Sequence, residues 1–143
     1  MLRFRLLIVL LAGLVVPAAA QEQLLTPAEF LGYELGERFT PHHRVVDYVE
    51  HVAAQAPNVR LERYGTTNEG RPLLLAFVSS AENMARLETI RTDNLRRTGL
   101  LNGTPAGPPA ALVWLSYNVH GNEAVSTEAA MATLYDLANP ENT

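Results

Sequence analysis

His120 and Glu123 are the two side chains in this sequence whose types and spacing point to chemistry. Imidazole nitrogen and carboxylate oxygen are both good zinc ligands. A gap of three residues across the first turn of a helix lets two such side chains converge on one point. Gly121, between them, is expected to permit a tight backbone path that a larger residue would obstruct. A carboxylate there also suits the positive end of the helix dipole. A catalytic zinc site takes three protein ligands and keeps one position for water, so the pair predicts part of a site for one zinc ion. The plainer alternative is a satisfied histidine at a strand end followed by an ordinary first-turn acid, and spacing alone leaves both open.

Such a pair needs a strand to deliver the histidine and a helix to carry the glutamate. Residues 110–115 are apolar without alternation, as in a strand covered on both faces, and the run continues through 116–119 into His120. Trp114 is then expected in the core. The alanine-rich stretch 124–138 predicts a helix buried on most sides. In open α/β sheets, sites gather where strands end and helices begin, which is where this pair falls.

Upstream, Thr26-Pro27-Ala28-Glu29 has the form of a capping box, and Gly32 stops the short helix it opens. Thr40-Pro41 repeats the cap-then-proline signal, and Val45, Val49, Val52 and Ala56 follow at helical spacing, predicting a helix over 42–55. Residues 59–64 and 73–78 predict two paired strands about a turn at Gly70. Ser79 and Glu82 form a second capping box, opening a helix that stops at Gly99, and 100–109 is loop. This order implies an α/β fold: a three-layer sandwich with a mixed, largely parallel central sheet.

The chain's bulk properties narrow the setting. A length of 143 residues allows one domain, and 48% apolar residues suffice for a core. Arg3 and Arg5 precede an apolar run over 6–16 that ends in Pro17 and three alanines, so residues 1–20 are expected to be a secretory signal. The apolar run is about half the roughly 20 residues a spanning helix needs, which argues against a stable membrane anchor. Without the signal, nine basic residues face fifteen acidic ones, and nucleic acid is not an expected partner. The absence of cysteine excludes disulfides and thiolate metal sites.

The stretch Asn118-Val119-His120-Gly121-Asn122-Glu123-Ala124-Val125, with Glu128 following, resembles the zinc motif of the M14 zinc carboxypeptidases in its regulatory-carboxypeptidase form. Tyr64 to Leu73, containing Gly70-Arg71-Pro72, is similar to the first hairpin of that family. The resemblance covers about residues 40–138. It implies that His120 and Glu123 ligate zinc and assigns no catalytic role to any other residue here. It further implies a third histidine ligand, a carboxylate-binding arginine and a glutamate general base later than Thr143. Residues 40–143 are accordingly expected to be the N-terminal portion of a zinc carboxypeptidase domain, incomplete and inactive alone, after an extension at 21–39. The implied substrate is a peptide or protein with a free C-terminus; the expected location, periplasmic or extracellular, follows from the signal over 1–20 alone.

Other readings compete. Aspartoacylase-type deacylases also use a His-Gly-Asn-Glu motif, but close to their N-terminus, whereas two helices and a hairpin precede it here. A non-catalytic exported binding module with the same fold is the second alternative. His42, His43 and His51 lie on the predicted helix after Pro41 and match no family ligand position. Arg71 is expected to serve the hairpin turn, and Asn102-Gly103-Thr104 is a glycosylation sequon expected to be incidental.

Overall fold

A computed structural model describes residues 23–142. The expected signal over 1–20 lies outside the described residues. No described helix is long and apolar enough to cross a membrane.

The first helix, α1 (Pro27–Leu31), forms where expected: the Thr26 side chain accepts from the Glu29 amide, the Glu29 carboxylate accepts from the Thr26 amide, and Gly32 ends the turn at φ 80°. Helix α2 (His42–Gln55) also matches its apolar spacing, but Thr40 does not cap it. Its N-cap is Pro41, which makes no side-chain cap bond. The Thr40 hydroxyl instead donates to Glu128 at 2.7 Å, a bond to a buried carboxylate that outcompetes a neutral cap.

One face of α2 holds the N-terminal segment. The Leu25 amide donates to His51 Nε2, the Tyr48 hydroxyl donates to the Leu25 carbonyl, and Arg44 donates to the Phe30 carbonyl, each at 3.1 Å. Tyr48 is fully buried, and burial holds its phenol well above the usual tyrosine range, so it remains a donor.

Strands β1 (Val59–Thr66) and β2 (Pro72–Val78) pair antiparallel, with Val59 opposite Val78 and Thr66 opposite Pro72. A register shift between Arg63 and Gly65 leaves Tyr64 as an extra residue. Gly70 takes φ 77° in the connecting turn, where Arg71 pairs with Glu69 at 2.8 Å, the turn role expected of it.

The second capping signal is displaced by one residue. Ser80, not Ser79, accepts from the Asn83 amide and opens α3 (Ala81–Ala85). The Ser79 hydroxyl is taken by the Asn83 side chain instead. The expected single helix is divided at Arg86 (φ −125°, ψ 23°), after which α4 (Leu87–Arg97) runs to the turn at Gly99.

Asp93 of α4 is buried and accepts from the amides of Ala106 and Gly107 and from Arg96, fastening the loop that leads to the candidate site. These donors, the Ala106 amide foremost, hold its carboxyl below the ordinary aspartate range. A depressed folded-state value gives stability that is present above the unfolded value and lost as pH falls through the folded one. Hydrogen exchange at the Ala106 and Gly107 amides is therefore expected to accelerate, relative to other protected amides, on acidification below the carboxylate range. Asp93→Asn is expected to exchange quickly there at every pH.

The last helix, α5 (Val125–Ala138), buries Glu128, Met131, Leu134 and Ala138 along one face. Met131, Leu134 and Ala138 join Leu31, Tyr48, Val52, Ala56 and Val59 in the core. The fold is thus α/β, with α2 and α5 packed together and α2 lying on the hairpin.

The predicted interior strand departs from this picture. Residues 110–119 form no strand, and the only sheet among the described residues is the antiparallel β1–β2 pair. The parallel central sheet of the expected sandwich is not formed in residues 23–142. An apolar run becomes a covered strand only when neighbours take its backbone groups and both faces. No described strand does so, and Val113 and Trp114 remain 80% and 72% exposed. Trp114 is therefore not a core residue in this structure.

Candidate metal centre

The approach to the pair is built by Tyr117 and Asn118. Asn118 has φ 56°, the one described non-glycine residue with positive φ, and asparagine is among the residues most tolerant of that region. The turn that follows is closed by the Glu123 amide donating to the His120 carbonyl and the Ser126 amide donating to the Glu123 carbonyl, each at 3.0 Å. These bonds lead directly into α5, whose N-cap is Ala124. Gly121 is not at positive φ, and a Cβ there would meet nothing within 4 Å. The expected need for glycine at this turn is not met; the left-handed residue is Asn118.

His120 and Glu123 do converge. His120 Nδ1 lies 3.1 Å from Glu123 Oε1, with the side chains 70% and 53% exposed. A carboxylate only accepts, so Nδ1 carries the proton in this pairing. Two ligands on a tetrahedral zinc, with metal–donor distances near 2.1 Å, stand roughly 3.4 Å apart. The observed pair is thus within a few tenths of an ångström of the separation zinc requires, with ligation through Nδ1 calling for the tautomer that carries the proton on Nε2. The donor set fits zinc, but it is two ligands: no described group of three His, Cys, Asp or Glu side chains is placed to hold a metal. His42, His43 and His51 accordingly do not complete the site, and His51 is engaged by the Leu25 amide.

Glu128 was legible only as a motif residue, and the structure gives it a definite place. It is 7% exposed, and its two oxygens accept from the Gly36 amide at 2.6 Å and from Thr40 at 2.7 Å. Thr40 Oγ1 is also 3.0 Å from the Tyr33 hydroxyl. Because Thr40 has one hydroxyl proton and gives it to Glu128, Tyr33 must donate to Thr40. Helix α5, which follows the turn carrying the candidate ligands, is thereby pinned to the N-terminal segment. Thr127 was not singled out in the sequence at all; its hydroxyl donates to Asn118 Oδ1 at 2.9 Å.

The arrangement is thus an imidazole and a carboxylate 3.1 Å apart at the entrance of a helix, in an α/β chain, a donor pair of types that zinc accepts. The family follows from comparison with known proteins: residues 45–143 match the zinc carboxypeptidase model, peptidase family M14, and the chain belongs to that family. Membership implies zinc as the cofactor. No curated protein and no solved structure matched the chain.

Proposed function

We propose that this chain supplies His120 and Glu123 as two zinc ligands of an exported metallocarboxypeptidase that removes C-terminal residues from peptides. The observation that carries the proposal is the 3.1 Å approach of Nδ1 to Oε1 inside the segment matched by the family. Residues 40–143 form the N-terminal portion of the catalytic domain. No described residue is assigned as the third ligand, the general base or the arginine that holds the substrate carboxylate, and the proposal requires all three in the complete domain. In the complete domain, residues 110–119 become an interior strand of a three-layer sandwich with a largely parallel sheet. The exposure of Val113 and Trp114, an apolar surface suited to cover on both sides, supports this reading.

Zinc, when bound, supplies a Lewis acid for the scissile carbonyl and lowers the pKa of water towards roughly 7. The described residues supply the frame. His120 gives one nitrogen, Glu123 one oxygen and a negative charge, and the turn bonds into α5 hold the two donors at one point. Residues 1–20 act as the export signal, which places the enzyme in the periplasm or outside the cell.

The test is an assay of the full-length protein on a peptide with a free C-terminus, on the same peptide amidated, and on N-acetyl-aspartate. Release of the terminal residue from the first substrate alone is expected. Hydrolysis of N-acetyl-aspartate would make the protein a deacylase, and inactivity on all three with zinc bound would favour a binding module.

A further inference from the structure

An exposed imidazole and an exposed carboxylate have little packing to hold their rotamers, and ordering such side chains costs conformational entropy. Their alignment must therefore come from the backbone that carries them. That backbone is closed on itself. The Thr127 hydroxyl, in the first turn of α5, donates to Asn118 Oδ1 at 2.9 Å, so one hydrogen bond ties a residue two positions before His120 to the helix that follows Glu123. His120, Gly121, Asn122 and Glu123 all lie within the loop so formed.

A second tie runs alongside. The Tyr117 hydroxyl donates to Thr133 Oγ1 at 2.9 Å, further along the same helix. In an extended chain, adjacent side chains point to opposite faces. Tyr117 and Asn118 are adjacent, yet both reach α5, and the left-handed backbone of Asn118 is what breaks the alternation. The same conformation turns the chain so that His120 arrives over the helix entrance.

We propose that Asn118 and Thr127 are positioning residues of the metal centre: their hydrogen bond clasps the 118–127 loop and presents His120 and Glu123 to zinc already converged. The inference depends on the reading of those two residues as zinc ligands. Neither Asn118 nor Thr127 touches the metal; both act through the backbone of the ligand turn. Loss of a partner that orients a ligand typically weakens metal binding by about 10- to 100-fold. The lower end is expected here, because the clasp is exposed to water.

The experiment titrates the full chain with nickel(II) and follows paramagnetic broadening of the backbone amide resonances of residues 118–127, which can be read in every variant, together with the His120 imidazole where it is present; broadening reads weak as well as tight binding. Thr127→Val, which removes the hydroxyl at nearly constant shape, is expected to weaken nickel binding about tenfold. Thr127→Ser, which keeps the hydroxyl, restores the wild-type affinity. Asn118→Gly keeps access to the left-handed backbone but loses the acceptor, and should match Thr127→Val. The double variant should be no weaker than either single one. The thermal midpoint of the metal-free chain should not move in Asn118→Gly, whose side chain is exposed.

Wild-type affinity in both Thr127→Val and Asn118→Gly, with binding lost in His120→Ala, would overturn the clasp and leave the metal site standing. Unchanged binding in His120→Ala, or no broadening at His120 in the wild type, would remove the metal reading and the clasp with it.

Discussion

Alanine in place of His120 is expected to abolish peptidase activity and specific zinc binding in the full-length protein. The reason is the small number of donors. A catalytic zinc is held by three protein ligands, so losing one removes a direct metal–nitrogen bond and leaves two. The effect should exceed the roughly 10- to 100-fold that follows when only an outer hydrogen bond to a ligand is lost. Both side chains are more than half exposed, so neither substitution opens a cavity, and the melting temperature of the metal-free protein should hold. Glu123→Gln is the sharper companion variant, because it keeps the oxygen and the shape while removing the charge that offsets the cation. It is expected to retain the fold and lose most of the zinc affinity, read by calorimetric titration beside His120→Ala. Activity and zinc content preserved in either variant would mean that the pair is not the metal centre.

Glu128→Ala is expected to be the largest single loss of stability outside the apolar core. The carboxylate is buried and accepts from the Gly36 amide and the Thr40 hydroxyl. Hydrogen bonds to charged groups contribute about 1.5–3 kcal/mol each, and truncation strands two donors, so a loss of about 3 kcal/mol is expected. For a domain of this size that is a fall of roughly 10 °C in thermal midpoint. Glu128→Gln should cost far less, about 1 kcal/mol. Its carbonyl can accept from Gly36 while its amide donates to Thr40, provided that Thr40 turns its own proton towards Tyr33 and the hydroxyl chain reverses. Equal midpoints for the alanine and glutamine variants would show that the carboxylate is not the anchor of the N-terminal segment.

The features legible in the sequence are those whose causes lie within a few residues. The Thr26–Glu29 box, the spacing of Val45, Val49 and Val52, the turn at Gly70 and the helix that follows Ala124 are all set by neighbours, and all appear. The convergence of His120 and Glu123 is likewise a one-turn relation. Errors arise where a distant partner decides. Thr40 has a good local role as a cap, yet a carboxylate 88 residues away takes its hydroxyl. Gly36 and Glu128 are 92 residues apart, so nothing near either one announced the contact. Residues 110–119 carry the composition of a covered strand, but a strand is defined by its neighbours, and the described chain provides none. Gly121 misled for a different reason: the left-handed conformation the turn needs was taken up by Asn118.

The central claim is that one zinc ion is gripped by His120 and Glu123 together. A zinc titration of the chain, labelled so that the His120 ring nitrogens and the Glu123 carboxyl carbon are both observed by nuclear magnetic resonance, tests it most directly. The two signals should move along one isotherm with a single dissociation constant, while His42, His43 and His51 stay still. A His120 response without Glu123, or equal responses at all four histidines, would contradict the claim.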